Sequence, residues 1–446
     1  MQNLRENSFP HEWKQPANVV TMRVPAKVHS TQPQLAPQLP VSSYFDPALY
    51  ALEMQRIFQH GPRYVGHSLA VPNVGDYYAL PQEKEGRALV RNAGGVELIS
   101  NVCRHRQAVM LKGRGSLTHD DKGMQSGNIV CPLHRWTYSG AHAGGNGKFP
   151  AGPPQGELAP SGGSDPRSGG AWGQHQSGTL IGAPHFAQDP CLNLNNYKLQ
   201  EWNGLLFEDG RGSGGIDVAS QLANMGPRAD LSFDGYVLDR VEMHECNYNW
   251  KTFIEVYLED YHVGPFHPGL GQFVTCEDLR WEFKDHYSVQ TVGVANRLGK
   301  ADASGGSPTY ERWQKALLNY TGGVPPKFGA IWLTYYPHTM VEWYPHVLTV
   351  STLYPMGPNK TMNMVEFYYP EEIYAFEREF VEAQQAAYME TCIEDDEIAE
   401  RMDAGRAALL ARGDNETGPY QSPMEDGMQH FHEWYRRQVG PQSLTF

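Results

Sequence analysis

Two short pairings of cysteine with histidine constrain this chain more than any other feature. They are Cys103-Arg104-His105 and, after 25 intervening residues, Cys131-Pro132-Leu133-His134. Neither pair can complete a metal coordination shell alone, so the fold must bring two loops face to face. Together the loops offer two thiolates and two imidazoles. That set suits a [2Fe–2S] cluster in which the cysteines hold one iron and the histidines the other. It also suits tetrahedral zinc, for which two cysteines and two histidines are an ordinary ligand set. Zinc fingers usually pair cysteine with cysteine and histidine with histidine, whereas each loop here mixes the two, which favours the cluster.

The flanking residues sharpen this reading. Asn101-Val102-Cys103-Arg104-His105-Arg106 and Cys131-Pro132-Leu133-His134-Arg135-Trp136-Thr137-Tyr138 resemble the two cluster loops of Rieske oxygenase α subunits, and Gly178–Pro184 resembles the strand that follows them. Arg135 stands where that family usually has glycine after the second histidine. Glycine there permits positive φ, so Arg135 asks for a different backbone or a compensating contact.

A chain of 446 residues has room for two or three domains. Its formal charge of −14 argues against nucleic acid or an anionic membrane as partner. No stretch approaches the roughly 18 apolar residues of a membrane span, and MQNLRENSFPHEWK lacks the apolar core of a secretion signal, so the expected location is cytoplasmic. Of the six cysteines, Cys191, Cys246, Cys276 and Cys392 are scattered and read as small buried apolar residues.

Residues 1–43 are rich in Pro, Gln and Ser and read as an N-terminal arm. A short helix is expected over Asp46 to His60, then β-like runs such as Ala88-Leu89-Val90 and Asn128-Ile129-Val130, ending with a strand over Leu199 to Phe207. By the resemblance, residues 44–215 form an all-β Rieske [2Fe–2S] domain. A Gly/Pro-rich insertion at about 139–177 reads as a surface loop, and the histidines inside it, His142 and His175, are poor ligand candidates. From residue 216 to 446, helical patterns at 247–262 and 371–411 flank four strand-like runs, which makes an α+β domain with an antiparallel sheet. The resemblance implies a helix-grip (START-like) catalytic domain carrying mononuclear non-haem iron.

Asn247 to His267 reads NYNWKTFIEVYLEDYHVGPFH. Glu255, Glu259 and His262 recur at steps of four and three, one stripe of a helix. Pro265 ends that helix and lets His267 turn back toward His262. Two imidazoles and one carboxylate form the facial triad that leaves positions on Fe(II) open for O2 and substrate. Near the C-terminus, Tyr388, Cys392, Asp395, Ile398 and Met402 share one stripe, while Asp396 aligns with Met389, Ala399, Glu400 and Asp403 on a more polar side. A buried ion needs its carboxylate on the inward stripe, which selects Asp395. The segments Asn249-Trp250-Lys251, Glu259-x2-His262-x4-His267 and Glu394-Asp395-x2-Ile398-x-Glu400 also resemble the catalytic-domain signature of Rieske oxygenases. Most of that family has aspartate where this chain has Glu259; a glutamate there resembles the carnitine- and betaine-oxidising branch. By the resemblance Glu259 bridges His262 to the cluster residue His134 of a neighbouring copy across a trimer interface. Asp260 falls off the stripe, and His244, His286, His338, His346, His430 and His432 read as structural or surface groups.

The resemblance implies an oxygenase (α) component, a mono- or dioxygenase with a Rieske [2Fe–2S] cluster and Fe(II). Its electrons come from an NAD(P)H-dependent flavin reductase, with or without a ferredoxin. It uses O2 on a small organic substrate, either an aromatic compound, as in aromatic hydrocarbon catabolism, or a betaine- or carnitine-like amine. Trp332, Tyr335, Tyr336, Trp343, Tyr344 and Tyr354 are candidate pocket walls for stacking or cation–π contact, or ordinary core. A Rieske electron carrier without oxygenase activity explains the first motif but not the second, and a zinc-stabilised ligand-binding protein is the other rival.

Overall fold

The computed structural model describes residues 37–446 apart from 121–122, 125, 143–175, 188, 209–215, 226–228, 297, 299–305 and 445–446. Most of the N-terminal arm and of the Gly/Pro-rich insertion, including His175, therefore lies outside the described residues.

Asp46 caps the first helix, accepting the backbone N–H groups of Ala48 and Leu49, with Pro47 at its first position. The helix runs Pro47–Glu53 and widens into a π-type turn over Met54–Phe58. Leu49 and Ile57 pack with Trp250, Ile254, Phe431 and Trp434. This N-terminal element thus joins the core of the second half of the chain.

A five-stranded antiparallel sheet follows, in the order Asn196–Tyr197, Gly95–Ser100, Arg87–Asn92, Asp76–Ala79, Arg114–Ser116. Its central strands read as nearly continuous apolar runs because both faces are covered. Ala88, Val90 and Ile99 face a core shared with Cys103, Cys131, Trp136 and Tyr138. Leu89 and Leu98, pointing the other way, join Val289, Ile331 and Val350 in a second core. The strand expected over 199–207 is instead a hairpin of Leu199–Trp202 and Leu205–Glu208. Asn203 and Gly204, at φ 51° and 81°, make the two-residue turn that an Asn-Gly pair favours.

The second half is a seven-stranded antiparallel sheet. Its order is Tyr236–Cys246, Lys360–Pro370, Val347–Gly357, Thr339–Tyr344, Ala330–Tyr335, Tyr287–Val294, Val274–Lys284. The long helix Arg378–Arg412 packs with the Pro308–Tyr320 helix and stops at Gly413, whose φ of 79° provides the left-handed cap. This helix is gripped on more than its apolar stripe. Ala399 and Asp403, on the side expected to be polar, are buried, and Asp403 accepts the Asn249 backbone N–H at 2.8 Å.

The helix expected to continue from 247 to 262 is shorter. It spans Trp250–Tyr257, and Leu258 closes it by donating to both Ile254 O and Glu255 O. Asp260 N then bonds Met424 O at 3.0 Å, which draws the chain out of helical register. Among the cysteines, Cys191 is exposed rather than buried, Cys276 and Cys392 are half-buried, and Cys246 is buried as expected. Among the described residues no helix is long and apolar enough to cross a membrane.

Candidate metal centres

The two cysteine–histidine loops are built alike. In the first, Cys103 N bonds Ala108 O and Gln107 N bonds Cys103 O; in the second, Cys131 N bonds Trp136 O and Arg135 N bonds Cys131 O. Gln107 and Arg135, each four residues after its cysteine, both adopt positive φ, 53° and 62°. Arg135 therefore takes the left-handed backbone that glycine would adopt freely, and its carbonyl accepts the Thr137 hydroxyl at 3.0 Å.

Both thiols are buried, at 1% exposure. The His105 and His134 rings stand 4.6 Å apart, and His105 stacks on Trp136 at 5.0 Å. His105 Nδ1 is buried without a hydrogen-bond partner, an orphan that needs an explanation. The Tyr138 hydroxyl lies 3.6 Å from Cys103 Sγ and accepts Arg104 N at 3.2 Å. Two buried sulfurs, two adjacent imidazoles and a hydroxyl beside one sulfur fit a [2Fe–2S] cluster. His134 and Leu133 leave one side of these loops exposed.

In the second half, His262, His267 and Asp395 come together. His262 Nε2 lies 3.0 Å from His267 Nε2, and Asp395 Oδ1 lies 3.0 Å from His267 Nε2 and 3.4 Å from His262 Nε2. Three ligands at right angles around one ion, with bonds of about 2.1 Å, would stand about 3 Å apart, so this triangle fits a facial triad. Each imidazole is fixed from behind by a carboxylate. Glu259 Oε1 takes His262 Nδ1, and Glu394 Oε2 takes His267 Nδ1 at 2.7 Å, leaving both Nε2 atoms facing Asp395. Burial lowers the His262 pKa, but Asp395 and Glu259 outweigh it and push it up to about 10. Burial alone would raise Asp395, yet the two histidines hold it below the usual carboxylate range.

Glu259 does not share a helical stripe with Glu255, as the spacing predicts, because it lies beyond the helix end. Its carboxylate instead accepts Tyr261 N at 2.6 Å and His262 N at 3.1 Å. Glu255 turns the opposite way, into a buried group with Tyr44, His432 and Arg406. Asp260 is also turned from His262, toward Gln290.

A small, partly open cavity reaches Asp395, walled by His244, Tyr248, Phe253, Val256, Tyr257 and Cys392. His244 is thus a cavity residue and not a bystander. It and the Tyr248 hydroxyl are both held by Asp396, at 2.7 Å each. None of the six aromatic residues proposed as pocket walls lines this cavity. Trp332 and Tyr344 belong to one core, Tyr335 to another and Tyr336 to a third, while Trp343 and Tyr354 pack on the second of these. Tyr248 and Phe253 carry no periodic mark that sets them apart from core aromatics, which is why sequence reasoning passed over them.

Comparisons with known proteins agree with this geometry. The Rieske [2Fe-2S] domain family matches residues 61–159, and the ring hydroxylating alpha subunit (catalytic domain) family matches residues 229–441. The chain is 60% identical to a putrescine 2-hydroxylase of Ralstonia nicotianae, over 90% of this chain and 95% of that protein. It is 57% identical to a putrescine 2-hydroxylase of Bordetella bronchiseptica, over 90% and 85% respectively. Its fold is similar to that of a quaternary ammonium Rieske monooxygenase solved with L-carnitine, with a TM-score of 0.63 and 17% identity over 91% of this chain and 96% of that one. The electron-carrier and zinc-protein alternatives leave the catalytic-domain match and the His262–His267–Asp395 triangle without a purpose. The chain belongs to the Rieske non-haem iron oxygenases, as a terminal oxygenase subunit with a [2Fe–2S] domain and a mononuclear iron catalytic domain.

Proposed function

We propose that this oxygenase hydroxylates a short aliphatic diamine of the putrescine class at a carbon next to an aminomethyl group. The observation that carries this reading is the character of the cavity. Its wall is largely apolar (Phe253, Val256, Cys392) with two phenols, one imidazole and Asp395 set into it, and no lysine or arginine is among its described lining residues. Such a wall offers an acidic substrate no lysine or arginine to pair with, and it suits a short aliphatic chain. The 60% and 57% identical relatives named putrescine 2-hydroxylase support the same class. Both of those relatives are named for putrescine and not for an aromatic compound, so the aromatic alternative is set aside.

In this reading residues 44–215 carry the cluster on Cys103, His105, Cys131 and His134. Residues 216–446 carry the iron on His262, His267 and Asp395. When bound, these groups relay single electrons and activate O2 for insertion into a C–H bond. The reaction consumes one O2, two protons and two electrons, the electrons coming from NAD(P)H through a reductase, and yields the alcohol and water. The chain's own residues do the rest. Glu259 and Glu394 hold the two imidazoles in one orientation. Phe253 and Val256 exclude water from the cavity. Glu259 also bridges toward His134 of the partner subunit in a homotrimer, with the cluster loops' exposed side as the contact.

The test is product analysis. Holoenzyme with a surrogate reductase, NAD(P)H and O2 is offered putrescine, carnitine and an aromatic acid. Conversion of putrescine to a mono-hydroxylated diamine is expected; turnover confined to either other compound contradicts the reading.

A further inference from the structure

The strand Thr339–Tyr344 carries a single acid in an otherwise apolar and hydroxyl-bearing run, and that acid, Glu342, is 1% exposed. Among the described residues no cation pairs with it. Its surroundings are hydroxyls: Tyr388 donates to Oε1 at 2.9 Å, and Tyr257, Tyr344 and Thr349 stand around the same carboxylate. The Tyr257 and Thr349 hydroxyls are themselves buried without a completed hydrogen bond. Burial pushes the Glu342 carboxyl up to about 7 while these hydroxyls pull it down. A buried carboxylate without a counter-ion is costly to keep charged, and an arriving cation would relieve that cost.

The carboxylate lies one side chain behind the cavity wall. Tyr257 and Cys392 both line the cavity, and Tyr257 reaches Glu342. Tyr388, Cys392 and Asp395 lie on one face of the long helix at steps of four and three. The seven residues from Tyr388 to Asp395 rise by about 10 Å, so the carboxylate held by Tyr388 and the triad that includes Asp395 stand about two turns apart along one side of the helix.

We infer that Glu342 receives the substrate's remote ammonium group and is the residue that selects a primary ammonium end over a quaternary one. This rests on the diamine reading above and names the residue that enforces it. A primary ammonium offers three N–H donors, enough for the Glu342 carboxylate and the Tyr257 oxygen together. A quaternary ammonium offers none.

Anaerobic calorimetry on the holoenzyme tests this with putrescine and its bis(trimethylammonium) analogue, which has no N–H donor at either end, as probes. The wild type should bind putrescine roughly 100-fold more tightly than the bis-quaternary analogue, the scale of a buried charge-assisted hydrogen bond. Glu342→Gln should reduce that preference to within about 10-fold, chiefly by weakening putrescine. A preference unchanged in Glu342→Gln overturns the assignment and leaves the diamine reading standing. A wild type that binds no diamine overturns both. Should Glu342→Gln not fold, Thr349→Val, which strips one hydroxyl from the same carboxylate, replaces it. A several-fold smaller preference supports the assignment, and an unchanged one overturns it.

Discussion

Glu259 grips His262 twice, taking the ring Nδ1 with one carboxylate oxygen and the backbone N–H, at 3.1 Å, with the other. The imidazole is thereby locked with Nε2 toward His267 and Asp395. Glu394 does the same for the His267 ring. A carboxylate behind each metal-facing imidazole fixes tautomer and orientation, and its loss typically costs 10- to 100-fold in metal affinity or activity.

Glu259→Gln keeps a hydrogen-bonding group but removes the charge. Single-turnover electron transfer from the cluster to the iron should slow by roughly tenfold or more, with iron content retained. Rapid-mixing spectroscopy of the reduced cluster reads this directly, and an unchanged rate removes the bridging role.

Lys251 and Glu53 pair at 2.6 Å with both side chains fully buried, and Trp250 Nε1 donates to the same carboxylate at 2.9 Å. This pair ties the N-terminal helix to the Trp250–Tyr257 helix. Lys251→Met strands the Glu53 charge and should cost about 3–5 kcal/mol. The double change Lys251→Met with Glu53→Gln should recover part of it. Denaturant unfolding checks both, and a single variant as stable as the double would contradict the pairing.

Arg135 adopts φ 62°, a region that costs a residue with a Cβ about 1 kcal/mol or more. Arg135→Gly should raise stability by up to ~1 kcal/mol, since glycine's greater freedom in the unfolded chain offsets part of the gain. The cluster absorption should not change. Bleaching of the cluster would mean that the arginine side chain itself supports the loop.

Glu366 is fully buried, accepts the Tyr64 hydroxyl at 2.5 Å and leaves Oε1 unpartnered. Burial pushes its pKa up to about 7 from 4.5, against the hydrogen bonds from Tyr64 and Tyr368. A carboxyl raised on folding contributes stability that is fully present below pH 4.5 and lost as pH rises through 7. Glu366→Gln removes that dependence. Its stability relative to wild type should therefore improve between pH 5 and pH 8, by on the order of 1–3 kcal/mol. Melting curves at the two pH values decide it; a difference that does not change with pH contradicts the assignment.

How much of this was legible in the residues depends on how local each signal is. The cysteine–histidine loops carry their ligands within four residues, so spacing alone exposed them. Asp395 and Asp396 do face different ways on the uninterrupted helix Arg378–Arg412, but the stripe expected to be polar is the more buried one, with Ala399 and Asp403 inside, so periodicity identified the inward side only in part. The same reasoning failed for Glu255 and Glu259, because the bond from Asp260 N to Met424 O ends the helical register and lies 164 residues away in sequence. His244, Tyr248 and Glu342 were not legible as a group. His244 and Tyr248 sit at or just past the end of the strand Tyr236–Cys246 and Glu342 on Thr339–Tyr344, and only the register of the seven-stranded sheet and the docking of the long helix bring the first two to the cavity and the third behind its Tyr257 wall. A lone acid in the run Thr339–Tyr344 was the one visible hint.

The most direct test is the iron content of the anaerobically purified wild type and of His262→Ala, read with the cluster spectrum and putrescine-dependent hydroxylation. The account predicts about three irons per chain falling to about two, an unchanged cluster spectrum and no product. Loss of the cluster signal in His262→Ala, or full iron content with continued hydroxylation, would contradict it.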